Sequence, residues 1–323
     1  MKFAGLVLAG TLGALAIGSQ GQAAPDAPPL KAMLWAPASA DPARAFGTAP
    51  TECLKPSADP ATGRLIEIGR AAFRTPLVLG GQASRAGISC ENCHRSGRTN
   101  PDFLFPGVSG APGTADVTSS LFSSHRGNGV DDPKPIPDLS GPKSALKISQ
   151  APGERALEPF IHGLITEEFD GPEPTAKVLA GLAAYVRALD PGGCPALARQ
   201  PLTVAFLMGD ARRAVRAAQG QIAAGDNATA VVMLAGARAR LSLIDERFDT
   251  PDLAAVRDTL RAADRRLAAV QTALREHRSG AGAALSAWLV RSRALESGLA
   301  ARAPGSLFDA RRLAQAAKRR LPG

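Results

Sequence analysis

Two thiols and an imidazole fall within one pentapeptide, Cys90-Glu91-Asn92-Cys93-His94. Groups of this kind serve metal coordination, thiol–disulfide exchange or covalent attachment of a prosthetic group. A zinc site wants a second ligand pair, and the remaining Cys and His of the chain show no such spacing. A redox dithiol does not need the adjoining His and belongs near a βαβ pattern, which this sequence lacks. The C-x-x-C-H order fits attachment: each thiol adds to one haem vinyl group, and the two-residue spacer matches the vinyl separation. The following His falls beneath the iron as axial ligand. The sequence therefore predicts one covalent haem c on Cys90 and Cys93, with His94 as proximal ligand.

The sixth iron position is open to several groups. No Met lies between His94 and Met208. His125, on the Gly-flanked segment Phe122-Ser123-Ser124-His125-Arg126-Gly127, is the first candidate, and His162, in a helical apolar setting, is the second. An open or water-bound iron, or Met33, Met208 or Met233 brought from elsewhere, completes the set. A bis-His iron has a low potential, whereas an open one admits peroxide or small gases. Glu167, Glu168, Asp170 and Glu173 form an acidic cluster that reads as a solvated patch beside a helix end, with a proton-donor role as the sharper alternative. A carbonyl from Pro101 or Pro106 is expected to accept from His94 Nδ1 and orient the ring. Cys53 and Cys194 bracket this region, and in an oxidising compartment a disulfide between them is expected.

These residues must be positioned by a chain whose texture changes midway. Residues 1–24 read as a cleaved export signal: Lys2, then an uncharged run from Phe3 to Ile17, then small residues at Gly21 and Ala23. That run is short for a membrane span, which takes roughly 20 apolar residues. Residues 25–60 read as an extended arm pinned by Trp35. Apolar spacing predicts helices over 62–75, 154–168 and 175–189, with Pro174 in the first turn of the last. The stretch 80–145 is loop-dominated, which is unusual unless it wraps something. Helices then follow over 202–223, 227–247, 251–277, 281–302 and 306–320, with Thr250-Pro251-Asp252 as a capped start. Short connections favour an antiparallel bundle. The fold class is all-α, with a haem domain over 61–199 and a basic helical domain over 200–323.

Charge divides at the same place. Residues 1–199 carry 18 basic and 18 acidic side chains, whereas 200–323 carry 20 and 11, which accounts for the whole net charge of +9. Export argues against nucleic acid as a partner, and Phe206, Phe248, Trp288 and Phe308 form no basic–aromatic ladder. The arginines at helical spacing, such as Arg212, Arg213 and Arg216, read as a solvated face. A docking surface for an acidic redox partner or peripheral contact with anionic lipid is the sharper reading.

Around the attachment motif the chain resembles class I-like c-type cytochromes. The wider pattern is similar to the cytochrome domain of the bacterial di-haem cytochrome c peroxidase and methylamine-utilisation family. The resemblance rests on Ile68-Gly69-Arg70-Ala71-Ala72-Phe73, Gly87-Ile88-Ser89-Cys90, Pro135 to Gly141, and Leu182 to Leu189. It implies that the first and last helices cross at Gly69 with Tyr185 filling the contact, and that the Pro135–Gly141 loop packs on the haem's far side. Peroxidases of that family carry two haems, and this chain has one attachment motif. The implied function is a periplasmic mono-haem cytochrome moving single electrons. A peroxidase-like enzyme with a displaceable sixth ligand is the alternative, and a redox-sensing module that binds a partner through its helices is a third.

Overall fold

The computed structural model describes residues 30–118, 121–127, 129–142, 146–151 and 153–318. The expected export signal over 1–24 and the first residues of the arm lie outside that range. Helix makes up 59% and strand 4% of the structure, so the fold is mostly helical, as the apolar periodicity predicts. No helix among the described residues is long and apolar enough to cross a membrane.

The arm is more structured than an extended strap. Lys31–Trp35 form a 3-10 turn, α1 spans Pro42–Gly47 behind an Asp41 cap, and β1 is Thr48–Pro50. Leu30, Ala45 and Phe46 are buried against Leu307, Leu313 and Ala316 from the far end of the chain, a contact that no local pattern announces. Trp35 stacks on Phe105 with centroids 4.3 Å apart, so the arm is pinned where its one indole predicts.

Helix α2 is Pro60–Phe73, with Asp59 accepting from the amides of Ala61 and Thr62 and Pro60 in the first turn, where a missing donor costs nothing. The expected loop stretch contains the short helices α3 (Gly81–Ala86) and α4 (Cys90–Cys93). Two strands, β2 (Thr114–Ala115) and β3 (Lys134–Pro135), pair within it. Helix α5 (Leu157–Gly163) runs into a π-helical turn over Leu164–Glu168. Helix α6 (Ala176–Ala188) is capped by Thr175, so Pro174 precedes the cap and does not occupy the first turn.

Helices α2 and α6 cross at two glycines. A Cβ on Gly69 would stand 1.8 Å from the Gly181 carbonyl oxygen, so only hydrogen fits there. Tyr185, wholly buried, closes the contact edge-on to Phe73 at 5.1 Å. Strand β4 (Arg199–Pro201) returns to pair antiparallel with β1. Beside that ladder the Asp190 amide donates to the Cys53 carbonyl at 2.9 Å, and Cys53 and Cys194 are joined in a disulfide.

The remaining helices are α7 (Val204–Ala223), α8 (Asn227–Asp245), α9 (Ala254–Arg275), α10 (Ala281–Arg302) and α11 (Ala310–Lys318). Thr203 and Asp226 cap α7 and α8. Thr250 makes no cap; Pro251 instead opens a 3-10 turn ahead of α9. Helices α7 to α10 pack in a closed circuit, each on its neighbours in sequence and α10 back on α7, while α11 covers α1. The change of texture near residue 200 does not interrupt the core. Helix α2 packs on α7 and α8, where a Cβ on Gly236 would meet the Ala71 carbonyl at 2.7 Å. Buried apolar side chains from Ile66 to Leu299 form one cluster.

Candidate haem-attachment site

Helix α4 is a single turn, and the two residues between its cysteines have structural work. The Ser89 amide donates to Asn92 Oδ1 at 2.8 Å, and the Ser89 side chain takes the reciprocal bond of a capping box. Asn92 therefore fixes the turn that spaces Cys90 from Cys93. Both are free thiols and half-buried. Burial pushes each up to about 12, so both stay protonated at neutral pH. An exchange-active dithiol needs the opposite shift.

His94 leaves the turn with its Nδ1 donating to the Pro137 carbonyl at 3.0 Å. Burial pulls the imidazole down to about 4, against the opposing pull of that carbonyl and of Asp138. The ring is thus neutral, and placing its proton on Nδ1 leaves the lone pair on Nε2, the ligating form. Phe73 lies 6.4 Å from it, ring centre to ring centre. The orienting carbonyl comes from Pro137, and neither Pro101 nor Pro106 supplies it. The reason is a latch: the Leu139 amide donates to the Gly97 carbonyl at 3.0 Å, and Arg98 Nε pairs with Asp138 at 2.6 Å. Pro135–Gly141 therefore lies against the Nδ1 edge of the His94 imidazole.

On the other side of α4, Glu91 enters a buried ionic cluster. Its Oε1 accepts from the Ser96 amide at 3.1 Å, and its Oε2 lies 3.5 Å from Arg74 Nε. Arg74 Nη2 and Arg70 Nε both donate to Glu52, at 2.7 and 2.8 Å, and the Tyr185 hydroxyl donates to the same carboxylate at 2.6 Å. Arg70 also pairs with Asp210 of α7 at 2.8 Å, and Arg240 of α8 donates to the Arg74 carbonyl at 3.3 Å. Burial alone would raise the Glu52 and Asp210 carboxyls, yet the two guanidiniums hold both below the usual carboxylate range. The cluster joins the arm, α2, α6, the attachment turn and the helical half.

The two histidine candidates differ in how they are held. His162 Nε2 hydrogen-bonds to Glu173 at 2.9 Å. His125 is 64% exposed, and its Nε2 stands 3.8 Å from Asp170, beyond hydrogen-bond reach. Met208 and Met233 are fully buried in the apolar core, and Met33 packs beside Leu30 and Phe46. The acidic cluster is not uniformly solvated. Glu167 pairs with Arg126 at 2.6 Å and Asp170 accepts the Ser124 amide, but Glu168 is 8% exposed and burial raises its carboxyl.

Among the described residues no three His, Cys, Asp or Glu side chains converge on one point. Cys90, Cys93 and His94 thus share a turn without sharing a coordination centre among the described residues. Haem c fits the donor set present: two protonated thiols one turn apart and an oriented neutral imidazole. Comparison of the chain with family models, with curated proteins and with solved structures returned no match.

Sequence reading missed Asn92, Pro137 and the ionic cluster. Asn92 stands three residues after Ser89, a capping-box spacing that was available to find it. Pro137 lies 43 residues from His94 and Asp210 far beyond that, so no local pattern could pair them.

Proposed function

We propose that this protein is an exported mono-haem c-type cytochrome that transfers single electrons, with a cytochrome c-like haem region backed by a helical bundle. The observation that carries the reading is His94: neutral, hydrogen-bonded through Nδ1, and immediately following two free thiols on one turn. Cys90 and Cys93 would tether the haem and His94 Nε2 would ligate its iron. Bound haem supplies a one-electron couple; the chain excludes water, orients the imidazole and keeps it unprotonated. His125 is the stronger distal candidate, because Glu173 already engages the ligating nitrogen of His162. A partner of acidic surface is the proposed electron donor or acceptor. Its docking face would draw little on Arg212 and Arg213, which already pair with Glu296 and Glu67.

The test is direct. Protein exported in a host competent for haem attachment should keep peroxidase-stainable haem on a denaturing gel. The Cys90→Ala/Cys93→Ala variant should lose it, whereas Cys53→Ala/Cys194→Ala should retain it. Wild-type protein free of covalent haem would overturn the reading. His125→Ala should convert a six-coordinate low-spin spectrum to high spin, and unchanged bands would remove His125 from the distal position.

Glu168, buried on the π-helical turn with its carboxyl raised by that burial, favours one second reading, a peroxidase-like site with an open sixth position. Spectra unaltered by peroxide and by carbon monoxide would exclude it.

A further inference from the structure

Behind α4, on the side that carries Glu91 and Asn92, a cavity of about 580 Å³ lies between the arm, the attachment segment and helices α8 and α9. Its walls include Trp35, Phe46, Phe103 and Leu260, together with seven basic and five acidic side chains. The acids are engaged. Asp264 pairs with Arg238 at 2.8 Å, Asp245 with Arg261 at 2.8 Å, and Asp102 with Arg44 at 2.5 Å. Glu246 accepts from the Lys31 amide at 3.0 Å and Glu91 from the Ser96 amide at 3.1 Å.

Three arginines of the lining are different. Among the described residues Arg95, Arg240 and Arg247 have no carboxylate within ion-pair distance. Their positions are fixed by backbone carbonyls: Arg247 donates to Phe46 at 3.0 Å, Arg240 to Arg74 at 3.3 Å, and Arg95 to Thr48 at 2.8 Å. Arg240 and Arg247 are only 7% and 4% exposed. Nε of Arg240 and both Nε and Nη1 of Arg247 are nonetheless buried without a hydrogen-bond partner. Unsatisfied charged donors inside a protein are costly, and anchoring them removes their escape to water. Burial pulls Arg247 down to about 10, against the opposing pull of Glu246. The volume is that of a small-ligand pocket and is too large for a single bridging water.

We propose that this cavity binds a small organic dianion with two carboxylates, received by the guanidinium groups of Arg95, Arg240 and Arg247. Arg74 and Asp102 of the lining pair outside it, with Glu52 and Arg44, so the charge left unmatched is that of the three arginines, which two carboxylates offset more fully than one. A guanidinium presents paired donors that suit a carboxylate, and the aromatic and aliphatic wall favours an organic spacer over a fully hydrated inorganic ion. The proposal does not depend on haem, since Cys90, Cys93 and His94 do not line the cavity.

Calorimetric titration of the full chain with succinate, acetate and inorganic phosphate tests it. Succinate should bind at one saturable site and raise the melting temperature, with acetate and phosphate at least about tenfold weaker. Arg240→Gln and Arg247→Gln should each weaken succinate by about tenfold or more, while Arg212→Gln leaves it unchanged. Should a Gln variant fail to fold, Arg247→Lys decides: it keeps the charge, loses the fork, and should still weaken succinate severalfold. Absence of saturable succinate binding up to about 10 mM would overturn the proposal. So would phosphate binding as tightly as succinate, or affinity unaffected by the folded Arg variants.

Discussion

The two halves of the molecule bury their apolar groups in different ways. Between the arm and α6 the core is aromatic, running from Trp35 through Phe105 and Phe122 to Phe169 at centroid spacings of 4.3, 5.0 and 5.4 Å. Much of the backbone there is irregular and held by side chains such as Asp116, Asp138 and Ser109. From α7 onward the core is mostly Leu, Ala and Val on regular helices, with charges paired near the surface, as at Arg238–Asp264 and Arg257–Asp245. At the seam the pattern inverts, and Arg70, Arg74, Glu52 and Asp210 go inside. An irregular half has few continuous ladders to hold it, so it leans on α7 and α8 through one helix and a charge-matched cluster.

That dependence can be broken at graded points. Gly69→Val places side-chain atoms where the Gly181 backbone already stands, so a loss of more than about 4 kcal/mol is expected. Circular dichroism should show a single transition at a much lower temperature. A wild-type melt retained by the helical half would mean that the halves are independent and the shared core carries no coupling.

Glu52→Ala leaves two buried guanidiniums without their common partner, for an expected loss of about 3–5 kcal/mol in urea titration. The same carboxylates set the acid limit. Glu52 and Asp210 titrate below their unfolded range, so their contribution is full above pH of about 4 and is lost as pH falls further. The Glu52→Gln variant should therefore show a shallower fall of stability with acid than wild type. Equal slopes would assign the acid lability elsewhere.

The Cys53→Ser/Cys194→Ser variant frees a closure spanning 141 residues and should cost about 2–4 kcal/mol, read by chemical denaturation. The smallest effect belongs to the latch that holds the Pro137 carbonyl against His94. Asp138→Asn removes a partly exposed pair with Arg98, worth about 1 kcal/mol or less. Its signature is faster hydrogen exchange at the Leu139 amide, which donates to Gly97; an unchanged rate would show that the latch holds without the pair.

The regular parts of the fold were legible because their causes are local. Apolar spacing located α7 to α10 closely, whereas the helix crossing at Gly69 followed only from the family resemblance. The arm was misjudged because Phe46 finds its partners at Leu307 and Leu313, beyond any window. The Cys90–His94 pentapeptide stands out from five residues, whereas the carbonyl that orients its histidine does not. Pro137 reaches the site through a loop whose position depends on Arg98, Asp138 and Gly97 together. Glu168 was read as solvated because charge pattern alone does not reveal a π-helical turn folding a carboxyl inward.

The disulfide also sets an order of events during maturation. Of the six single disulfides that four cysteines allow, one leaves Cys90 and Cys93 both reduced. In an unfolded, oxidised chain, closing the short Cys90–Cys93 loop is favoured over the Cys53–Cys194 loop by about 3 kcal/mol of chain entropy. Local chemistry therefore runs toward the wrong bond, and only the β1–β4 ladder and the crossing of α2 with α6 bring the right pair together. In an oxidising milieu folding must overtake closure of the Cys90–Cys93 loop, or a reductant must hold the pentapeptide open until it does.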